Sequence, residues 1–510
     1  MRRLHEAIGA VETYSPAEER FNRRRRTAGL FLAPAALFLV WMLPMRGLSE
    51  EGHHLAAVMA AVVVLWVSEA LPMAVTALLG PALAVVFQVA TARRALASFA
   101  DPIIFLFIGS FILAEAMFVH GLDRRIAFTT LSSRLVGASA MRMLIAYGGV
   151  ATLISMWISN TATTAMLFPI GLSIVSHVGL RGTAPPDALR RFAISMMLVT
   201  SFAASVGGMA TPVGTPPNLI GMGFIARLGG HPVSFLAWSS LGVPLVLVLT
   251  ALLLGWFAWW GARGLRIDAE GLALVRAERT QLGPWTRGQR NVIVAFAVTV
   301  FLWVAPGLAA IVGLDGSRAM QAFATSVPES IAAIAGAVLL FVLPIDWRQR
   351  RFTLTWDQAA SIDWGIILLY GGGLALGDLA FETGLASWLG SGLTSILPVH
   401  TELALTIAFT GAAIVLSEAT SNAASANMIV PVAIAVALAA GIDPLRPALA
   451  ATLGASMGFM MPISTAPNAI VYSSGYVPIG AMMRHGLLLD VAAFVVIVAV
   501  VTLLGPLVGL

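Results

Sequence analysis

Residues 158–166 read ISNTATTAM. Five of the nine, Ser159, Asn160, Thr161, Thr163 and Thr164, are polar, and none is charged. Before them runs MLIAYGGVATLISMWI (143–158) and after them TAMLFPIGLSIVSHV (164–178), apolar arms of 16 and 15 residues. Crossing the hydrocarbon core takes about 20 helical residues. A second stretch is built alike. SEATSNAAS (417–425) stands between LALTIAFTGAAIVL (403–416) and MIVPVAIAVALAA (428–440). The simplest geometry for both is a re-entrant helical hairpin, 143–178 and 403–441, with its polar tip inside the membrane. Irregular backbone at that depth must be buried in protein or line a wet cavity.

Such a tip has definite electrostatics. One helix ends there and another begins, so carbonyls of the first arm and N–H groups of the second lack helical partners. Carbonyl, hydroxyl and amide oxygens suit a hard cation such as Na⁺, while free N–H groups and a positive helix end suit an anion. Asn160 and Asn422 can serve both, amide oxygen toward the cation and amide nitrogen toward the anion. Neither tip holds Arg, Lys or His. An anion there is held by dipoles, hydroxyls and a bound cation. Single Ser and Thr residues often do no more than pack between membrane helices; two SN-centred tips in paired hairpins argue for a site.

The two halves of the chain resemble each other more widely. LFIGSFILAEAMFVHGLDRRIA (106–127) parallels LLYGGGLALGDLAFETGLASWL (368–389), pairing Gly109 with Gly372 and Gly121-Leu122 with Gly384-Leu385. GGMATPVGTPPNLI (207–220) parallels MGFMMPISTAPNAI (457–470), pairing Pro212, Pro217 and Asn218 with Pro462, Pro467 and Asn468. The prolines cannot continue a helix, so both segments read as unwound stretches facing the tips, the alternative being a proline kink with no ligand. Internal repeats of this kind mark secondary transporters, with the site where the repeats meet.

Composition agrees. The 510 residues are 58% hydrophobic and 11% charged, with mean hydropathy +0.89; a soluble domain carries about 25% charged residues. Apolar runs recur along the chain without strand alternation, which gives an all-α polytopic membrane protein and argues against a β-barrel. Cysteine is absent, which excludes disulfides, thiolate metal sites and cysteine nucleophiles. The net charge is only +5. Its arginines lie in short clusters between apolar runs, so no nucleic-acid partner is expected.

The clusters are topology signals. FNRRRRT (21–27) precedes the first apolar run, which places the N-terminus in the cytoplasm. No small-residue cleavage site follows that run, so it is not a removed signal. The expected organisation is a cytoplasmic tail (1–27), a first membrane half (28–260), a cytoplasmic linker with six Arg (261–290) and a second half (291–510). The expected location is the inner membrane.

WVSEALPMAVTALLGPAL (66–83), the paired SN tips, ATPVGTPPNLI (210–220) and MPISTAPNAIVYSSGYV (461–477) resemble the divalent anion–sodium symporter family, which includes exchangers. The likeness covers about 60–480. It implies inverted repeats, a homodimer with scaffold and transport domains, and elevator-type movement. It also implies sodium-coupled uptake of small di- or tricarboxylates such as succinate, malate or fumarate. A sodium-independent anion exchanger and a sulfate transporter are the alternatives. By motif, the substrate would touch Ser159, Asn160, Thr161, Ser421, Asn422 and Thr465. Sodium ions would use Ser155, Ser159, Asn160 and Gly208 in one site, and Ser417, Thr420, Asn422 and Ser464 in the other. The second SNT of the family is Ser421-Asn422-Ala423 here, one hydroxyl fewer.

Other candidates are weaker. GASMG (454–458) matches a serine-hydrolase pattern around Ser456, but lies in an apolar helical run. Glu69 is expected to stabilise the helix break at Pro72. Glu418, inside the second tip, is placed to tune the cation site or bond nearby backbone. Glu115, Asp378, Glu382 and Asp490 read as lone acids, and His177 as an interfacial residue.

Overall fold

Prolines, left-handed glycines and capping side chains cut the apolar chain into helices. The computed structural model describes residues 16–133, 136, 139–180, 185–265, 277–314, 316–396 and 401–510. Among these, ten helices are long and apolar enough to cross a membrane. Among the described residues strand is confined to a two-stranded antiparallel pair, Pro344–Asp346 with Arg351–Phe352. Of the expected linker 261–290, residues 266–276 fall outside the described residues, as do residues 1–15 of the expected tail.

Short connecting helices apart, the first half runs α1 (Pro16–Met42), α2 (Glu50–Ser68), α3 (Met73–Val86), α4 (Pro102–Val119), α5 (Leu122–Leu131), α6 (Ala140–Ser155), α7 (Asn160–Leu180), α8 (Pro186–Gly207), α9 (Pro216–Arg227) and α10 (Phe235–Gly261). The second runs α11 (Arg287–Ile311), α12 (Arg318–Ser326), α13 (Glu329–Val342), α14 (Trp364–Glu382), α15 (Leu385–Ile396), α16 (Glu402–Ala419), α17 (Asn422–Ala439), α18 (Leu445–Gly454), α19 (Ala466–Tyr472) and α20 (Ile479–Leu503).

The sequence repeat has structural counterparts. α4 and α14 each give way to a shorter helix through a left-handed glycine, Gly121 at φ +61° and Gly384 at φ +79°. Gly109 of α4 sits against the backbone of Ala333 in α13, and Gly372 of α14 against the backbone of Ala77 in α3. A side chain at either glycine would part the two helices, so the small residue permits the close approach. α8 is the axis of the core. It is buried from Phe192 to Gly207 and packs on α6, α7, α10 and α19. Phe202 meets Phe459 at 5.0 Å and Phe257 at 6.3 Å. A smaller apolar cluster joins α2 and α3 to α14 and α15.

The break between α2 and α3 matches its expectation. Glu69 caps α2 in the left-handed region (φ +50°) and Pro72 precedes α3. Glu69 accepts a hydrogen bond from Arg25 at 3.0 Å, and Arg26 approaches to 3.5 Å. The arginine cluster is therefore helical, and part of it anchors this break.

The hairpin arms are longer than the apolar pattern suggested. α7 has 21 residues, and α16 and α17 have 18 each. The difference lies at the tips. Thr161, Thr163 and Thr164 belong to the first turns of α7, and Ala423 to α17. Polar residues end an apolar run in sequence without ending the helix. Only α6, at 16 residues, stays short.

Candidate functional site

Both hairpin turns open on one cavity of about 760 Å³. Its lining includes Ser159, Asn160 and Thr161 from the first tip and Ser421, Asn422 and Ala423 from the second. Thr215, Pro216 and Pro217 come from the first unwound segment, and Ser464, Thr465 and Pro467 from the second. All six residues expected to contact substrate are thus brought together. Thr215 was not singled out from sequence. It is the repeat counterpart of Thr465, and the same 250-residue offset that pairs Pro217 with Pro467 would have found it.

Local chemistry explains the turns. Ser159 accepts the N–H of Ala162 at 3.2 Å, and Ser421 that of Ala424 at 3.3 Å. Each serine caps the helix that begins at the cavity. Thr465 caps α19 through the N–H of Asn468 at 3.3 Å. Pro216 and Pro217 in α9, and Pro467 in α19, occupy first-turn positions where the missing N–H leaves nothing unsatisfied.

The two asparagines are held almost identically. Ser155 donates to Asn160 Oδ1 at 2.8 Å, and Ser417 to Asn422 Oδ1 at 2.9 Å. Asn160 Nδ2 reaches Thr215 Oγ1 at 3.4 Å, and Asn422 Nδ2 the carbonyl of Ser456 at 3.2 Å. The unwound segments are pinned the same way. Asn218 Nδ2 donates to the carbonyls of Gly208 (2.9 Å) and Thr211 (2.8 Å). Asn468 Nδ2 donates to those of Gly458 (3.0 Å) and Met461 (3.0 Å). Ser201 of α8 then donates to Asn468 Oδ1 at 2.6 Å, which ties the second segment to the core.

The residues expected to hold sodium sort into two kinds. Ser159, Asn160, Asn422 and Ser464 line the cavity. Ser155, Gly208, Ser417 and Thr420 are buried. Behind Asn160 the backbone leaves a cradle: a Cβ on Gly208 would lie 2.3 Å from Asn160 Oδ1 and 3.1 Å from the Gly214 carbonyl. A Cβ on Gly458 would likewise lie 3.1 Å from Asn422 Oδ1 and 3.1 Å from the Ser417 carbonyl. Neutral oxygens around a glycine-sized space fit a hard monovalent cation. The Thr420 hydroxyl donates to the Trp66 carbonyl at 3.0 Å, and the Ser417 hydroxyl also donates to the Ala455 carbonyl at 2.8 Å.

The cavity wall bears no Arg, Lys or His among the described residues, but three acids, Glu69, Glu115 and Asp363. Asp363 accepts N–H bonds from Gly365 (3.0 Å) and Ile366 (3.3 Å) and caps α14. Two supposed lone acids have partners. Asp378 receives Arg227 Nε at 2.9 Å and the Ser98 hydroxyl at 2.8 Å, and Glu382 pairs with Arg94. Their partners lie far away in sequence, which hid them. His177 is half-buried.

The family model of the sodium:sulfate symporter transmembrane region matches residues 24–510. The chain belongs to the sodium:sulfate symporter family. Two relatives named sodium-dependent dicarboxylate transporter SdcS extend the comparison with this symporter-family chain. The one from Staphylococcus saprophyticus is 32% identical over 484 residues, 94% of this chain and 91% of that protein. The one from Staphylococcus aureus is 32% identical over 486 residues, with the same coverage. Solved structures share the fold at low identity. The YdaH transporter of Alcanivorax borkumensis has a TM-score of 0.52 at 15% identity, over 81% of this chain and 86% of that one. MtrF of Neisseria gonorrhoeae has a TM-score of 0.51 at 12% identity, over 80% and 82%. In this member of the sodium:sulfate symporter family, Ser456 is no hydrolase nucleophile. Its hydroxyl is buried just past the end of α18, with no hydrogen-bond partner among the described residues.

Proposed function

We propose that the protein is a secondary active transporter that takes up small dicarboxylates of the succinate, malate or fumarate type, coupled to entry of Na⁺. The observation that carries this reading is the convergence of two SN tips and two unwound segments on one cavity, with an oxygen-lined cradle behind each asparagine. Sodium-dependent dicarboxylate transport, named for the SdcS relatives, supports it. A cation behind Asn160 and another behind Asn422 hold the amide oxygens, leaving the second N–H of each amide and the tip hydroxyls for the two carboxylates of the substrate. With no basic side chain on the wall, the cations supply the compensating charge.

Transport then follows from a population shift between outward- and inward-open states rather than from bond chemistry. On this reading α6–α10 and α16–α20 move as an elevator against a scaffold of α1–α5 and α11–α15, the repeats are inverted, and the hairpins are re-entrant. The functional unit is a homodimer in the inner membrane, with its N-terminus in the cytoplasm.

The test is uptake of labelled succinate by proteoliposomes under an inward Na⁺ gradient, with choline as control. Asn160→Ala abolishes both uptake and its sodium dependence; full uptake by that variant refutes the assignment. Ala423, which takes one hydroxyl from the second tip, favours a second reading as a sodium-independent exchanger. Succinate counterflow in sodium-free vesicles separates the two.

A further inference from the structure

The two asparagine pockets differ sharply at one repeat position. Met156 follows Ser155 in the first hairpin, and Glu418 follows Ser417 in the second. Met156 offers its carbonyl to the Thr211 hydroxyl at 2.6 Å. The Glu418 carboxylate binds three groups of the opposing unwound segment. Oε1 accepts the N–H of Phe459 at 2.6 Å and of Met460 at 2.7 Å. Oε2 accepts the Ser464 hydroxyl at 2.7 Å, and that hydroxyl also lies 3.1 Å from the Glu418 carbonyl. Ser464 is itself one of the residues expected to hold the second cation. Asp490 of α20, 4% exposed, turns its carboxyl toward that of Glu418. α20 reaches this place because Gly486 packs directly on the backbone of Phe459 and Met460.

We propose that Glu418 is the positioning residue that makes the two cation sites unequal. It fastens the unwound segment 455–465 to the second hairpin, which fixes Ser464 relative to Asn422, and it places a formal negative charge at the second site that the first site lacks. The second site therefore takes a cation in the absence of any dianion, whereas occupancy of the first depends on the dianion. A charge a few ångströms from a cation in a poorly hydrated pocket outweighs any one neutral ligand.

This inference rests on the sodium reading above, and its test separates the two. Protection of the full-length protein against thermal unfolding is measured as a function of Na⁺, with choline keeping ionic strength constant, without and with succinate. Glu418→Gln is expected to raise the half-protecting Na⁺ concentration at least tenfold without succinate. Glu418→Asp, which keeps the charge, restores it to within threefold of wild type. Met156→Glu installs a carboxylate at the matching place in the first hairpin and lowers the concentration several-fold. A purely structural role for Glu418 lowers the melting temperature equally in Na⁺ and in choline, leaves the half-protecting concentration unmoved, and overturns the proposal. If Glu418→Gln does not yield folded protein, Met156→Glu decides: an unchanged concentration overturns the proposal and a lowered one supports it. Wild-type protein that Na⁺ fails to protect beyond choline defeats the sodium reading itself.

Discussion

Gly208→Ala probes the proposed first cation pocket with a single methyl group. Its Cβ would lie 2.3 Å from Asn160 Oδ1 and 3.1 Å from the Gly214 carbonyl, against an optimal separation of about 3.5 Å or more. Asn160 is not free to yield. Ser155 holds its oxygen at 2.8 Å, and its nitrogen reaches Thr215 at 3.4 Å. Relief requires the amide to retreat by roughly 1 Å, which removes the oxygen from the pocket. Losing one interaction with a charged partner costs about 1.5–3 kcal/mol, or roughly a 10- to 150-fold rise in half-saturating Na⁺ at 1.4 kcal/mol per factor of ten. Overpacking costs a further ~1–3 kcal/mol of stability. Gly458→Ala is the internal control. Its Cβ would stand 3.1 Å from both Asn422 Oδ1 and the Ser417 carbonyl, so a few tenths of an ångström suffice and the rise stays within about threefold. The assay is succinate uptake by proteoliposomes against Na⁺ concentration, with thermal unfolding as the control for folding. A folded Gly208→Ala variant whose half-saturation stays within twofold of wild type refutes the placement of a cation behind Asn160.

Ala423→Thr returns a hydroxyl to the second tip and should tighten succinate binding by about 0.5–1.5 kcal/mol, roughly 2- to 12-fold, read by calorimetric titration in saturating Na⁺. Arg227→Met leaves Asp378, 6% exposed, without its cation, while Arg227 itself is over a third exposed. A thermal double-mutant cycle with Asp378→Asn should return a coupling of about 1–2 kcal/mol, and additivity would contradict the ion pair. Burial pushes the Asp123 carboxyl, on α5, up from 3.8 to about 6. A raised acid favours the fold while it is protonated, so its contribution is full below pH 4 and is lost as pH rises through 6, by at most about 3 kcal/mol. Asp123→Asn should therefore raise the melting temperature at pH 7.5 and leave it unchanged at pH 4.

Much of the site was legible because it is written twice. Asn160 and Asn422, Asn218 and Asn468, and Gly121 and Gly384 recur in order, and each pair has matching bonds or matching backbone in the fold. Helix breaks at Pro72, Pro216 and Pro467 could be read from chemistry that forbids continuation. What stayed hidden were pairings across long separations. Arg227 with Asp378 and Arg94 with Glu382 join elements 151 and 288 residues apart, and no local pattern specifies them. Glu418 stands out within the second tip, but its hold on Phe459, Met460 and Ser464 depends on how the second hairpin meets the unwound segment. The apolar pattern makes the hairpin arms look shorter than they are, because hydroxyl-bearing residues such as Thr161, Thr163 and Thr164 continue the helix past the apolar run.

The acid-bearing, arginine-free wall has a consequence for energy conservation. A carrier that clamps its anion with a fixed guanidinium can return loaded with anion alone, and the ion gradient then dissipates without accumulation. Here a bare dianion would meet Glu115 and Asp363 with no basic side chain on the wall to offset them, Glu69 being paired with Arg25. On the proposed sodium-coupled mechanism, slippage of that kind would be opposed by repulsion built into the vestibule, without a separate gate.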